Sequence, residues 1–230
     1  MAPQPRCGRN SLTFISLLSK QTKEWVHVVE RLLAFAENMS FCWTTIAVRS
    51  IEILERDPGL GAVGGRVMLP DGREEASALP GVIISCGVCL RKEVLDRVGG
   101  FRPEFFRKAG EYDFSFRIWE AGYRVERFED LVYRHDKALT NRDLDLSQRM
   151  DLRNNLILAE RFLPDDLRAD YRRDWIHRYS AFARYDDCET AVVRALGEAK
   201  GWEHRERTAG RQVLSRSFWR PCFSGANSRS

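Results

Sequence analysis

What the chain lacks narrows it first. No apolar run approaches the ~20 residues that cross a bilayer, and the longest, residues 81–90, reads as a buried strand. Six cysteines in 230 residues are too sparse for a disulfide scaffold, so a reducing cytoplasm is the expected setting. Arg6 and Arg9 precede a short apolar stretch at 12–18, but Ser and Thr interrupt it and no small-residue cleavage site follows, which is not the pattern of a secretory leader. Charge of one sign is scarce too. The 37 basic residues are nearly balanced by 33 acidic ones, leaving +4, which excludes a dedicated nucleic-acid binder. Residues 1–45 hold no aspartate, so they hold no Asp-x-Asp metal motif, and no Gly-rich turn stands there either.

What is present suits a packed protein: 43% of residues are hydrophobic and 30% charged. Residues 1–45 form an atypical segment in which 14–18 and 25–35 can be drawn as helical. From residue 46 the pattern sharpens. A helix over 46–55 closes at Asp57-Pro58-Gly59, and a strand over 61–68 ends at the turn Pro70-Asp71-Gly72. A strand over 82–90, a helix over 91–98 stopped by Gly99-Gly100, a Phe-rich loop over 101–109 and a helix over 111–121 follow. Short strands at 123–128 and 131–133 complete the alternation, which argues for an α/β layer over residues 46–140. Residues 141–220 turn helical, with segments 152–162, 166–183 and 189–200, and 221–230 reads as a frayed tail.

The most chemical stretch is Gly110-Glu111-Tyr112-Asp113-Phe114-Ser115-Phe116-Arg117. A carboxylate in the first turn of a helix sits at the positive end of the helix dipole, and held at the mouth of a sheet it can take a proton from a hydroxyl nucleophile. Glu111 and Asp113 project about 200° apart on a helix, so they do not share one proton. Arg117 stands four residues after Asp113, at ion-pair spacing, whereas Glu111 has no such partner in its helix. Glu111 is therefore the better candidate base and Asp113 the alternative. Both residues also have a plain reading, as acids that satisfy free amides at a helix start.

Several runs, in order, resemble bacterial family-two glycosyltransferases. They are Glu55-Arg56-Asp57-Pro58, Gly61-Ala62-Val63-Gly64-Gly65-Arg66-Val67, Ile84-Ser85-Cys86-Gly87-Val88-Cys89-Leu90, Val98-Gly99-Gly100-Phe101, Arg153-Asn154-Asn155-Leu156 and Arg161-Phe162-Leu163-Pro164. The likeness spans roughly residues 46–215 and is to the C-terminal, acceptor-side part of those enzymes, with the nucleotide-binding part missing or degenerate. It implies an incomplete GT-A type (Rossmann-like) sheet layer followed by a C-terminal helical region. It also implies inverting transfer of a hexosyl or rhamnosyl group from a nucleotide sugar to a hydroxyl of a glycan or lipid-linked acceptor of the cell envelope. A divalent cation, Mg²⁺ or Mn²⁺, belongs to that chemistry. By the same resemblance Glu111 aligns with the base, the later of two consecutive acids, and Gly110 stands where the first is expected. Ser85 and Gly87 are implied at the substrate and diphosphate, and His135 near the metal, although a lone histidine after a strand is more often structural. Arg149 and Arg153 suit a diphosphate because arginine forks match phosphate oxygens, and equally suit a solvated helix face.

Other readings stay open beside it. Cys86-x-x-Cys89 lacks a second ligand pair for zinc and reads as two buried thiols. Asp143-Leu144-Asp145 follows the candidate base and reads as loop. Arg168, Arg172, Arg173, Arg178 and Arg184, set among Tyr171, Trp175, Tyr179 and Phe182, allow peripheral contact with the inner membrane face, although the pattern is more ordinary for a helix packing on its own domain. A sheet missing its first units would expose an edge that a partner could cover. The chain is then either a sugar transferase or a non-catalytic remnant serving as a binding module.

Overall fold

The computed structural model describes residues 16–18, 42–75, 77, 79, 81–105, 107–136, 143–209 and 212–223. It is a mixed α/β structure. Strand β1 (Ser16–Leu18) precedes helix α1 (Cys42–Arg56), strands β2 (Leu60–Met68), β3 (Glu74–Glu75) and β4 (Val88–Arg91), helix α2 (Lys92–Val98) and helix α3 (Gly110–Glu120). Strand β5 (Arg124–Arg134) then leads into four helices, α4 (Leu144–Phe162), α5 (Asp165–Tyr185), α6 (Glu189–Ala209) and α7 (Arg216–Phe223).

β2 is the central strand. It pairs antiparallel with β4 and β3 and parallel with β5, while β1 runs parallel along the far side of β4. β2 is buried through most of its length because helices cover both faces. Val63, Val67, Leu131 and Tyr133 pack against Ile53 and Leu54 of α1. Ala62, Val88, Leu90 and Val125 pack against Val94 of α2 and Phe114 and Ile118 of α3. The pairing with β5 slips between Leu60 and Ala62, and this irregularity puts Leu60 with the α1 side although Ala62, two residues on, faces the other way.

The expected strands at 123–128 and 131–133 are one strand. Its pairing with β2 jumps from Phe128 at Gly65 to Val132 at Arg66, so a three-residue bulge interrupts it. Gly65 is required at that step, since a Cβ there would lie 2.3 Å from the Leu131 carbonyl oxygen. Beyond β5 no strand pairs among the described residues. The exposed charges on β5 are laced into ion pairs instead, Arg127 with Glu74 and Asp130 with Arg49, which is one way a sheet edge resists pairing.

Three expectations need correction. Residues 81–87 are not strand, and strand pairing begins only at Val88: the Ile83 amide donates to Ser115 Oγ (3.0 Å) and the Gly87 amide to the Ile84 carbonyl (2.9 Å), so neither joins a ladder. Ser16–Leu18 is a strand, not helix; residues 25–35 lie outside the described set. Asp143 is no loop acid, because its Oδ1 accepts the Leu146 amide at 2.8 Å and caps α4, which begins eight residues before the expected 152.

The helices do not form a separate bundle. Phe116 of α3 and Phe105 share one apolar core with Leu152, Leu156 and Phe162 of α4, Tyr171 and Trp175 of α5, Ala195 of α6 and Trp219 of α7. No helix among the described residues is long and apolar enough to cross a membrane. The α5 aromatics Tyr171, Trp175 and Tyr179 point into this core, while Arg168 and Arg172 reach Glu160 and Arg172 also reaches Glu203. Phe182 and Tyr185 remain exposed.

Candidate active site around Glu111

α3 starts abruptly. Lys108 and Ala109 both take left-handed backbone conformations (φ 70° and 54°), costly for residues with a Cβ and usually tolerated only where the surroundings impose them. Here the surroundings are Asn154 of α4. Fully buried, it donates from Nδ2 to the carbonyls of Arg107 and Lys108, each at 2.8 Å, while its Oδ1 accepts from Arg153. The Ala109 carbonyl in turn receives the amides of Tyr112 and Asp113 and opens the helix.

This start aims Glu111 out of the first turn. Its side chain is half-buried, and Oε1 accepts the hydroxyl of Ser85 at 2.9 Å. Asp151 of α4 lies close enough for the two carboxylates to repel one another. The Asp151 carboxyl is itself held by Tyr179 (Oη to Oδ2, 2.6 Å) and by Asn155 (Nδ2 to Oδ1, 3.0 Å), and Asn155 is anchored by Tyr171 at 2.8 Å. Burial pushes the Asp151 carboxyl above the usual carboxylate range, opposed by the Tyr179 hydrogen bond and the Lys108 charge and reinforced by Glu111. Burial, and then the Asp151 charge, raise the Tyr179 hydroxyl in the same direction. A fixed acid thus stands beside a second acid that gives up its proton late.

Asp113 has a different task. It has no exposed surface and is enclosed by three guanidinium groups: Arg117 at 2.9 Å, Arg161 at 2.8 Å and Arg102 at 3.3 Å. No alcohol can approach it, so the alternative role of base does not suit its position. Arg161 also binds Glu206 (2.5 Å) and Glu104 (3.4 Å), and Arg117 donates to the Gly100 carbonyl at 2.7 Å.

The residues expected at a diphosphate do not converge. Ser85 reaches Glu111. Gly87 places its amide on Ile84 and receives the Gly65 amide at 3.2 Å; a Cβ on it would meet Val67 at 2.6 Å, so close packing explains this glycine. Arg149 and Arg153 both face Glu198 of α6, at 3.7 and 3.5 Å. Arg153 is buried as well, donates to the Glu104 carbonyl at 3.1 Å and lies over Trp202.

His135 stands elsewhere, just past β5. Its Nδ1 lies 2.8 Å from Glu75 Oε2 and 3.5 Å from Cys86 Sγ. Magnesium and manganese prefer oxygen donors, and magnesium an octahedron of them. One carboxylate, one imidazole and one thiol do not meet that demand, so no step is assigned to such an ion here. The Cys86–Cys89 pair is also not two buried thiols. Cys89 is in the core, its thiol pushed up to about 12 by burial, whereas Cys86 is only half-buried and touches His135.

Asp151, Asn154 and Tyr179 were not anticipated as site residues. The one available signal was that Asp151, Asn154 and Asn155 stand just ahead of the apolar stretch Leu156–Ala159 of the same helix. No protein-family model, no curated protein and no solved structure matches this chain.

Proposed function

We propose that this chain is glycosyltransferase-like, the acceptor-side part of an inverting transferase in which Glu111 is the base. One observation carries the reading: a half-buried carboxylate in the first turn of α3, locked by the Ser85 hydroxyl and set beside Asp151. Ser85 orients one oxygen and leaves the other to receive a proton. The acceptor's O–H proton passes to Glu111 as its oxygen bonds to the anomeric carbon of a nucleotide sugar. The bond from that carbon to the diphosphate breaks, and the leaving group keeps the electron pair. On this reading the mixed sheet is the remainder of a GT-A type, Rossmann-like layer, and the acceptor is a glycan or lipid-linked hydroxyl at the inner face of the membrane.

A nucleoside diphosphate titrated with Mn²⁺ against the purified chain is expected to bind saturably below millimolar concentration. Glu111→Gln should abolish sugar transfer while leaving that binding within about threefold, because the lost interaction acts only in the transition state. Absence of saturable binding at millimolar ligand would overturn an independent transferase. It would leave the second reading, a non-catalytic binding module of the same ancestry. That reading is favoured by the missing aspartate in residues 1–45 and by a donor set at His135 unlike a carboxylate pair.

A further inference from the structure

We infer that Glu75, Cys86 and His135 form a three-ligand site for a borderline-soft divalent ion of the zinc class, with a fourth position open to water. The inference does not depend on the transferase reading. It rests on the sheet register. Glu75 pairs with Val67, Val67 pairs with Tyr133, and side chains in register across paired strands share one face. His135, two residues past Tyr133, continues on that face, fixed by its amide on the Met68 carbonyl at 2.9 Å. Residues 84–87 turn under the same face, because the Gly87 carbonyl accepts the Gly65 amide and Gly87 abuts Val67 and Tyr133. Three segments far apart in the chain thereby bring a carboxylate oxygen, a sulfur and an imidazole nitrogen within 4.8 Å of one another.

The chemistry of the set selects the ion. Zinc takes sulfur at ~2.3 Å, nitrogen at ~2.0–2.1 Å and carboxylate oxygen at ~2.0–2.2 Å on a tetrahedron. Ligand atoms at those bond lengths lie roughly 3.5 Å apart. The Sγ to Nδ1 distance of 3.5 Å already satisfies this. The Glu75 to His135 distance of 2.8 Å is a hydrogen bond, and it opens when the ion replaces the shared proton. On binding, the Cys86 thiol releases its proton to solvent and the imidazole keeps one proton, on Nε2. Thiolate and carboxylate then neutralise the dication. All three side chains are partly exposed, which gives the ion a way in, and Cys86 rests on the apolar cluster beneath, which limits its freedom.

The test is direct titration of the full, metal-stripped chain with Co²⁺ and then Zn²⁺. One equivalent of Co²⁺ is expected to produce a sulfur-to-cobalt charge-transfer band and tetrahedral visible absorption, and Zn²⁺ is expected to displace it. Cys86→Ser should abolish the charge-transfer band while its circular dichroism stays native. Glu75→Gln and His135→Ala should each weaken Zn²⁺ at least tenfold, and Cys188→Ser should change nothing. Proton release on Zn²⁺ binding should disappear in Cys86→Ser. A band that survives Cys86→Ser, or stoichiometric binding absent at tens of micromolar metal, would each overturn the site.

Discussion

Asn154 of α4 grips the carbonyl oxygens of both Arg107 and Lys108, at 2.8 Å each, and so holds open the left-handed step from which Glu111 projects. Helix and loop are 46 residues apart in the chain. The aim of the candidate base is therefore set from another helix, through the backbone that precedes it. Replacing Asn154 with Ala leaves two carbonyls without their donor and should cost about 2–3 kcal/mol, read from urea unfolding. Because the step relaxes, turnover in any transfer assay should fall with it. A variant of unchanged stability would show that the grip is incidental.

Lys108 offers the opposite experiment. Its backbone sits at φ 70° with the side chain exposed, so Lys108→Gly removes a Cβ penalty of about 1–2 kcal/mol and adds a smaller loss of unfolded-state restriction. The expected balance is a gain of about 0.5–1 kcal/mol and a higher Tm. A fall in Tm would mean that the Lys108 charge near Asp151 matters more than the backbone.

Glu111 and Asp113 should separate cleanly by stability. Asp113→Asn leaves Arg102, Arg117 and Arg161 around a neutral group and should cost about 3–5 kcal/mol. Glu111→Gln keeps a partner for Ser85 and should change stability by less than about 1 kcal/mol. Paired denaturation curves decide it; equal losses would contradict the division of labour between the two acids.

Asp151 predicts a pH signature. Its folded-state value is raised, so between the unfolded and folded values the folded chain holds a proton that the unfolded chain has lost. The stability this contributes is complete below the unfolded carboxylate range, near pH 4, and fades as pH rises through the folded value. Asp151→Asn should remove that part of the pH dependence from denaturation midpoints. Tyr179→Phe deletes the hydrogen bond to the charged form and should move the carboxyl higher still, whereas Glu111→Gln deletes a neighbouring charge and should move it lower. An Asp151 carboxyl ¹³C shift titrating within the ordinary range would refute the arrangement.

Gly65→Ala should be among the most damaging single changes. Its new methyl would meet the Leu131 backbone and the Tyr133 ring, and neither is a flexible side-chain end. A loss of about 3 kcal/mol is expected by thermal melting. A soluble variant with the wild-type Tm would mean that the β5 bulge can shift freely.

Helices α1, α2 and α3 and the central strand were legible because apolar spacing and Gly or Pro stops act locally, as at Gly99-Gly100 and Gly122, whereas the first turns of α4 and the whole of α7 were not. Residues 81–87 were not, since apolarity says nothing of where an amide finds its acceptor, and that of Ile83 finds Ser115. The same limit governed the site. Arg117 lies four residues from Asp113 and was readable as its partner, but Arg161, 48 residues on, was not. Asp151 beside Glu111, and Cys86 beside His135 with Glu75, are products of packing and register that no spacing in the sequence encodes.

Arg161 ties carboxylates from α3, α6 and the turn at Pro103–Phe105 to one guanidinium inside an apolar interface. Cutting the chain ahead of α4 would strip that guanidinium from Asp113 and bare Phe105 and Phe116 together. The excised α/β piece would be sticky and short of a cation at its centre. The boundary near residue 140 therefore marks where strands give way to helices, while the shared apolar core extends to Trp219.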